Sequence, residues 1–111
     1  MRFFKHAFRG IFTAVMSERN MKIHLAAVVL VFTAAFIFNA GAWEWIALVF
    51  ACAIVTAAEM FNTAIERMCD KVDPDECPFI KDVKDIAAGA VLVCAIAAVA
   101  VGIIVFWRLV F

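Results

Sequence analysis

The sequence predicts an all-α integral membrane protein, with an N-terminal amphipathic surface helix and three transmembrane helices. Three observations carry that expectation. Of the 111 residues, 68% are hydrophobic and the mean hydropathy is +1.02, more than a soluble domain of this size can cover with polar surface. Three long uncharged runs are present, and each must satisfy its backbone internally, as a helix does in lipid. The net charge of zero hides a one-sided distribution of Lys and Arg.

The elements follow in order within one domain spanning 1–111. In the first segment, 1–17, Arg2, Lys5 and Arg9 fall on one helical face and Phe4, Phe8, Ile11, Phe12 and Val15 on another. That pattern suits a helix lying at the headgroups. Ser17-Glu18-Arg19-Asn20 turns the chain toward the first span, 22–43, whose Leu25–Trp43 stretch carries no charge. The second span, 45–68, begins with fourteen uncharged residues from Trp45 to Ala58. A connection over 69–84 leads to the third, 85–108, with twenty-two uncharged residues from Ile86 to Trp107. Asp73-Pro74-Asp75-Glu76 has the form of a helix start, and Pro78 offers a second start just beyond it.

Nine of the ten basic residues lie before span one or between spans two and three. The positive-inside rule makes that side cytoplasmic, and Trp43, Trp45 and Trp107 then mark the opposite interface. The expected location is the bacterial inner membrane, crossed several times, with any site on the cytoplasmic face. Ala40-Gly41-Ala42 mimics a signal-peptide cleavage site. A forty-residue leader with Glu18 in its basic region is nevertheless unlike such a peptide. Cys52, Cys69, Cys77 and Cys94 have no metal-thiolate spacing, and a reducing cytoplasm argues against disulfides.

The chemistry concentrates where span two ends. Glu59, Asn62 and Glu66 are spaced by three, four and seven residues, so they share one helical stripe. Ionisable groups at membrane depth are expensive unless they face protein or water, which makes them functional candidates. Their oxygens suit hard cations, and a carboxylate can accept a proton from a hydroxyl. No phosphate-binding Gly-rich loop and no Ser-His-Asp order appears, and no nucleic-acid partner is expected. From the residues alone, the reading is cation-assisted or proton-transfer chemistry at the cytoplasmic membrane surface. A small proton-coupled transporter using Glu59 is the rival. Its coupling carboxylate belongs near the midplane, whereas Glu59 lies fourteen residues past Trp45, about 21 Å along a helix. Because the stripe must be shielded from lipid, an oligomer is expected. Ala90, Cys94, Ala98 and Gly102, each four apart, offer a close-packing face for subunit contacts.

Glu59-x-x-Asn62-Thr63-Ala64-Ile65-Glu66-x-x-x-Asp70 and Lys84-Asp85-Ile86-Ala87-Ala88-Gly89-Ala90-Val91-Leu92 together resemble the signature of prokaryotic diacylglycerol and undecaprenol kinases. Glu18-Arg19-Asn20-x-x-x-His24 fits the same pattern. These are small three-span membrane lipid kinases. The resemblance implies a homotrimer with sites between subunits, ATP and Mg²⁺ as requirements, and a membrane lipid alcohol as acceptor. It makes Glu59 the general base and Glu18 and Glu66 the metal-binding carboxylates. Asn62, Lys84 and Asp85, together with Glu18 and Glu66, would lie around the nucleotide phosphates, with His6 and the Asp75–Cys77 segment near the nucleotide. Two departures stand out. Cys77 occupies a position where the family usually has histidine. His24 stands where diacylglycerol-specific members tend to carry an acid, and with Asn62-Thr63 and Ala87-Ala88-Gly89 it favours undecaprenol slightly over diacylglycerol.

Overall fold

A computed structural model describes residues 2–111, and all regular structure within them is helical. Four helices run in chain order: α1 (Arg2–Ser17), α2 (Arg19–Ile37), α3 (Ala42–Val72) and α4 (Pro78–Val110). The last three are long and apolar enough to cross a membrane. The molecule measures 51 × 36 × 21 Å.

The break between α1 and α2 is a single residue. Glu18 is extended, at φ −112° and ψ 123°, yet its N–H still donates to the Ala14 carbonyl at 3.2 Å. Its own carbonyl accepts from Lys22 N at 3.3 Å. The chain therefore changes direction with almost no backbone hydrogen bonding lost, which leaves the Glu18 side chain at the elbow.

The first span ends earlier than the span expected over 22–43. It stops at Ile37 because Asn39 adopts the left-handed conformation, φ 58°. Ala40 N donates to Ala35 O at 2.9 Å and Asn39 N to Phe36 O at 3.2 Å, the paired bonds of a Schellman cap, in which Asn is the usual alternative to Gly. Gly41 then precedes α3 in an extended conformation.

The connection expected over 69–84 is mostly helical. With no breaker ahead of Asp73-Pro74, α3 continues to Val72, and α4 starts at Pro78, which occupies a first-turn position where its missing N–H is harmless. Asp73 N closes α3 on Cys69 O at 2.9 Å, and Lys81 N opens α4 on Cys77 O at 3.0 Å. At 31 and 33 residues, these helices are about 46 and 50 Å long. Both outreach a hydrocarbon core of about 30 Å.

α3 and α4 form the most extensive pair, with α2 against α3 and α1 resting on α2 and α3. The tight core lies at the end remote from all the basic residues but Arg108, where Ala35, Leu48 and Val105 are buried together. Phe32 and Trp45 meet there edge to face, centroids 5.7 Å apart, a favourable aromatic geometry. Two apolar clefts of about 470 and 480 Å³ open along α2, one between α1, α2 and α3 and the other between α2, α3 and α4. The four-apart stripe on α4 is used within the chain. Cys94 and Ala98 line a small cleft against Ala47, Ala51 and Ile54 of α3, and Ala98 and Gly102 border the cleft beside α2.

Candidate active site

α3 carries three adjoining stripes. Leu48, Val55 and Cys69 are its buried residues, seven or fourteen apart and so on the face that packs. Asn62 falls midway between Val55 and Cys69 on that row. A fraction of a turn away run Glu59, Glu66 and Asp70, and roughly a quarter-turn further come Met60, Thr63, Ala64 and Arg67, which face α1. Carboxylates thus occupy the seam between the packed face and the α1 face.

Asn62 Nδ2 donates to Glu66 Oε1 at 3.4 Å, while Asn62 Oδ1 is buried with no partner among the described residues. A buried acceptor left unpaired is unusual and calls for a donor or cation. Glu59, one turn deeper, is half-buried, and Glu66 is exposed.

Glu18 reaches the same region from the α1–α2 elbow. Arg67 Nη2 donates to Glu18 Oε1 at 3.1 Å and also to Ser17 Oγ; Ser17 in turn donates to Thr13 O at 2.5 Å. His6 lines a groove of about 420 Å³ between α1 and α3, with Arg9, Thr13, Thr63 and Arg67.

Lys84 lies on the first turns of α4 and points back at α3, bonded to Asp70 Oδ1 at 2.5 Å and to Glu76 Oε1 at 2.7 Å. Asp75 and Cys77 stay in the connection, their N–H groups donating to the two Asp73 carboxylate oxygens at 3.1 and 2.8 Å. These bonds, chiefly the Cys77 N–H and then the Cys77 side chain, hold the Asp73 carboxyl below its ordinary range, with Asp75 N–H adding less. The Cys77 thiol is exposed, as is Asp85. His24 sits apart, lining both apolar clefts, with Nε2 buried and unpartnered.

The chain therefore brings together Asn62 with Glu66, and Glu18 with α3 one residue past Glu66. Lys84 reaches the end of α3, while His6 and Asp75 lie on different elements. Arg67, Asp70 and Asp73 are the polar residues that sequence reasoning left out of the site, and Glu76 entered only as part of the Asp75–Cys77 segment. Asp70 stood in the motif, four residues beyond Glu66. The Arg67–Glu18 pair spans 49 residues, a separation that no local pattern signals.

Among the described residues no group of three or more His, Cys, Asp or Glu side chains forms a metal cluster. Mg²⁺ does not require one, since it binds one or two carboxylates and takes its remaining ligands from phosphate and water. Glu18 and Glu66 each have Oε1 occupied by a hydrogen bond, which leaves the second oxygen for a cation. With the unpaired Asn62 Oδ1, the donor set is all oxygen and fits.

An α-helical three-span frame with a carboxylate seam at its basic end is the frame of a membrane lipid kinase, and the comparisons agree. The family described as prokaryotic diacylglycerol kinase matches residues 5–106, and the chain belongs to it. It is 36% identical over 108 residues to an undecaprenol kinase of Bacillus subtilis (strain 168), covering 95% of this chain and 88% of that protein. It is 39% identical over 100 residues to a diacylglycerol kinase of Synechocystis sp., covering 89% of this chain and 57% of that longer protein. The chain is thus a multi-pass membrane protein and a lipid kinase of this family. Nothing in the fold or the comparisons supports a proton-coupled transporter.

Proposed function

We propose that the protein transfers the γ-phosphoryl group of ATP to the hydroxyl of a membrane lipid alcohol, with undecaprenol favoured over diacylglycerol. The observation that carries this reading is the seam of Glu59, Asn62 and Glu66 on α3, flanked by Glu18 from the elbow and Lys84 from α4. Such a set can position and neutralise polyphosphate, and phosphoryl transfer needs little else from a protein.

In the proposed reaction the lipid hydroxyl approaches from the bilayer beside Glu59. A Glu59 carboxylate oxygen takes the hydroxyl proton as the lipid oxygen forms its bond to the γ-phosphorus. The bond from that phosphorus to the bridging oxygen breaks, and ADP leaves toward water. Asn62 orients Glu66, Lys84 supplies a compact positive charge for phosphate, and Asp85, His6 and the Asp75–Cys77 segment border the nucleotide. Glu18 and Glu66 would hold Mg²⁺, which when bound offsets the phosphate charge. Lys84 must first leave Asp70 or Glu76, and both pairs are partly exposed, so exchange for a phosphate is inexpensive.

The acceptor preference is supported by the near full-length match to the undecaprenol kinase and by His24. Its imidazole faces apolar clefts, a setting better suited to a long hydrocarbon than to a polar headgroup. The basic end is assigned to the cytoplasm of the inner membrane, where ATP is available. A homotrimer would shield the seam from lipid.

The test is phosphorylation by the purified protein with radiolabelled ATP, comparing undecaprenol with diacylglycerol in mixed micelles across a magnesium titration. The expected product is undecaprenyl phosphate, formed faster than phosphatidate and only with the metal present. Preference for diacylglycerol would overturn the acceptor assignment, and no transfer to either lipid would overturn the reaction.

A further inference from the structure

Arg67 occupies two settings at once. Its Nη2 binds Ser17 Oγ and Glu18 Oε1, tying the α1–α2 elbow to α3. It also lines the groove between α1 and α3, whose polar lining is His6, Arg9, Thr13, Thr63 and Arg67, with no carboxylate. Two guanidinium groups, an imidazole and two hydroxyls in one groove form a receptor for a polyanion. Glu18 is the acid at its edge.

The pair is poorly suited to a permanent clamp. The side chains are 48% and 34% exposed, so their attraction is weak and screened by salt. A metal–polyphosphate complex offers each partner a better one. Glu18 would exchange a monovalent guanidinium for a divalent cation, and Arg67 would exchange one carboxylate for phosphates whose oxygens match its planar fork. The two exchanges reinforce each other, because neither charge is left alone.

We infer that Arg67 is a nucleotide-phosphate ligand that guards Glu18 in the free protein and releases it to the metal when the nucleotide enters the α1–α3 groove. This rests on the kinase reading above and adds to it a residue that the quoted motif leaves unspecified. It follows that Arg67 has opposite effects on the two ligands: it strengthens nucleotide binding and weakens binding of the metal alone.

The experiment compares wild type with Arg67→Gln and Arg67→Lys, as full chains in detergent. One arm follows binding of a fluorescent ATP analogue at saturating Mg²⁺. The other follows binding of Mn²⁺ without nucleotide by electron paramagnetic resonance. Arg67→Gln should weaken nucleotide binding about tenfold, the loss of one charge-assisted contact, and tighten Mn²⁺ binding severalfold. Arg67→Lys keeps the charge but loses the fork, so it should fall between. Unchanged nucleotide affinity, or Mn²⁺ affinity that is unchanged or lower, would overturn the inference. So would a lowered thermal midpoint with both affinities intact, the signature of a purely structural tie. Wild type that binds neither ligand would overturn the kinase reading and this inference together. Normal wild-type binding with unmoved variants would overturn the Arg67 assignment alone.

Discussion

At the scale of single residues, Glu59 and Asp73 are both carboxylates, and their surroundings separate them. Glu59 is half-buried on the seam with no hydrogen bond among the described residues, which leaves its oxygens free to meet an incoming hydroxyl. Glu59→Gln keeps the shape and removes the base, so lipid phosphorylation should fall by about 10²–10⁴-fold. Nucleotide binding and assembly should persist; near-normal turnover would exclude the role. Asp73 instead accepts two backbone N–H groups, and they depress its folded-state pKa. A depressed carboxyl contributes stability above the ordinary aspartate pKa of about 3.9 and loses it as pH falls through the lower folded value. The Asp75 and Cys77 amide resonances should therefore titrate with a midpoint below about 3.9, and a midpoint at or above that value would contradict the capping account. Asp73→Asn retains one acceptor and should abolish that titration. The Glu59–Asn62–Glu66 stripe was legible from spacing alone, because side chains three and four apart must share a helical face. The partners of Asp73 were not, since they depend on how the loop closes.

At the scale of elements, Cys94 and Ala98 of the α4 stripe line a cleft against α3, Ala98 and Gly102 border the cleft beside α2, and Ala90 is exposed. The four-residue spacing correctly marked a close-packing face; it carried no information on which helix would occupy it. Ala98→Leu should consequently strain the contacts of α4 with α3 inside one chain, costing about 1–3 kcal/mol and lowering the thermal midpoint in detergent. Gly102→Ala is the matched control. A Cβ built at Gly102 meets nothing within 4 Å, and alanine is the better helix former by about 0.5–1 kcal/mol, so stability should hold or rise. Destabilisation by Gly102→Ala would point to a second chain against that surface. The same element scale explains Lys84. Only because α3 overruns to Val72 and α4 starts at Pro78 does the hairpin bring Lys84 to Asp70, fourteen residues away.

For the whole molecule, burial is sparse and the cluster of Ala35, Leu48 and Val105 lies at the end opposite the Glu59–Glu66 seam, while large apolar side chains are exposed along every helix. Lipid accounts for most of that exposure, but a polar seam opening beside it requires protein or water. Lys84 meets α3 at Asp70, eleven residues past Glu59 and about 16 Å along the helix axis. In the proposed oligomer, α4 of another chain would supply Lys84 to this chain's Glu59. Mixing inactive Glu59→Gln chains with inactive Lys84→Ala chains should restore measurable kinase activity, because some interfaces then carry both intact groups. No recovery in co-reconstituted mixtures, with mixed oligomers verified by dual tagging, would refute a shared site. A fully active monomer in detergent would refute it as well.

The number of spans, the polarity of the molecule and the carboxylate stripe were all present in the order of residues. They follow from hydropathy, charge and the 3.6-residue period, which act locally and need no knowledge of neighbours. Tertiary structure alone determined that Glu18 is held by Arg67, that Lys84 is held by Asp70 and Glu76, that Cys94 and Ala98 face α3 and that the first span ends at Ile37. Each of these depends on which helix faces which, or on one left-handed residue such as Asn39. Those choices are settled by the packing of distant segments, and helical periodicity is the same whichever partner is chosen.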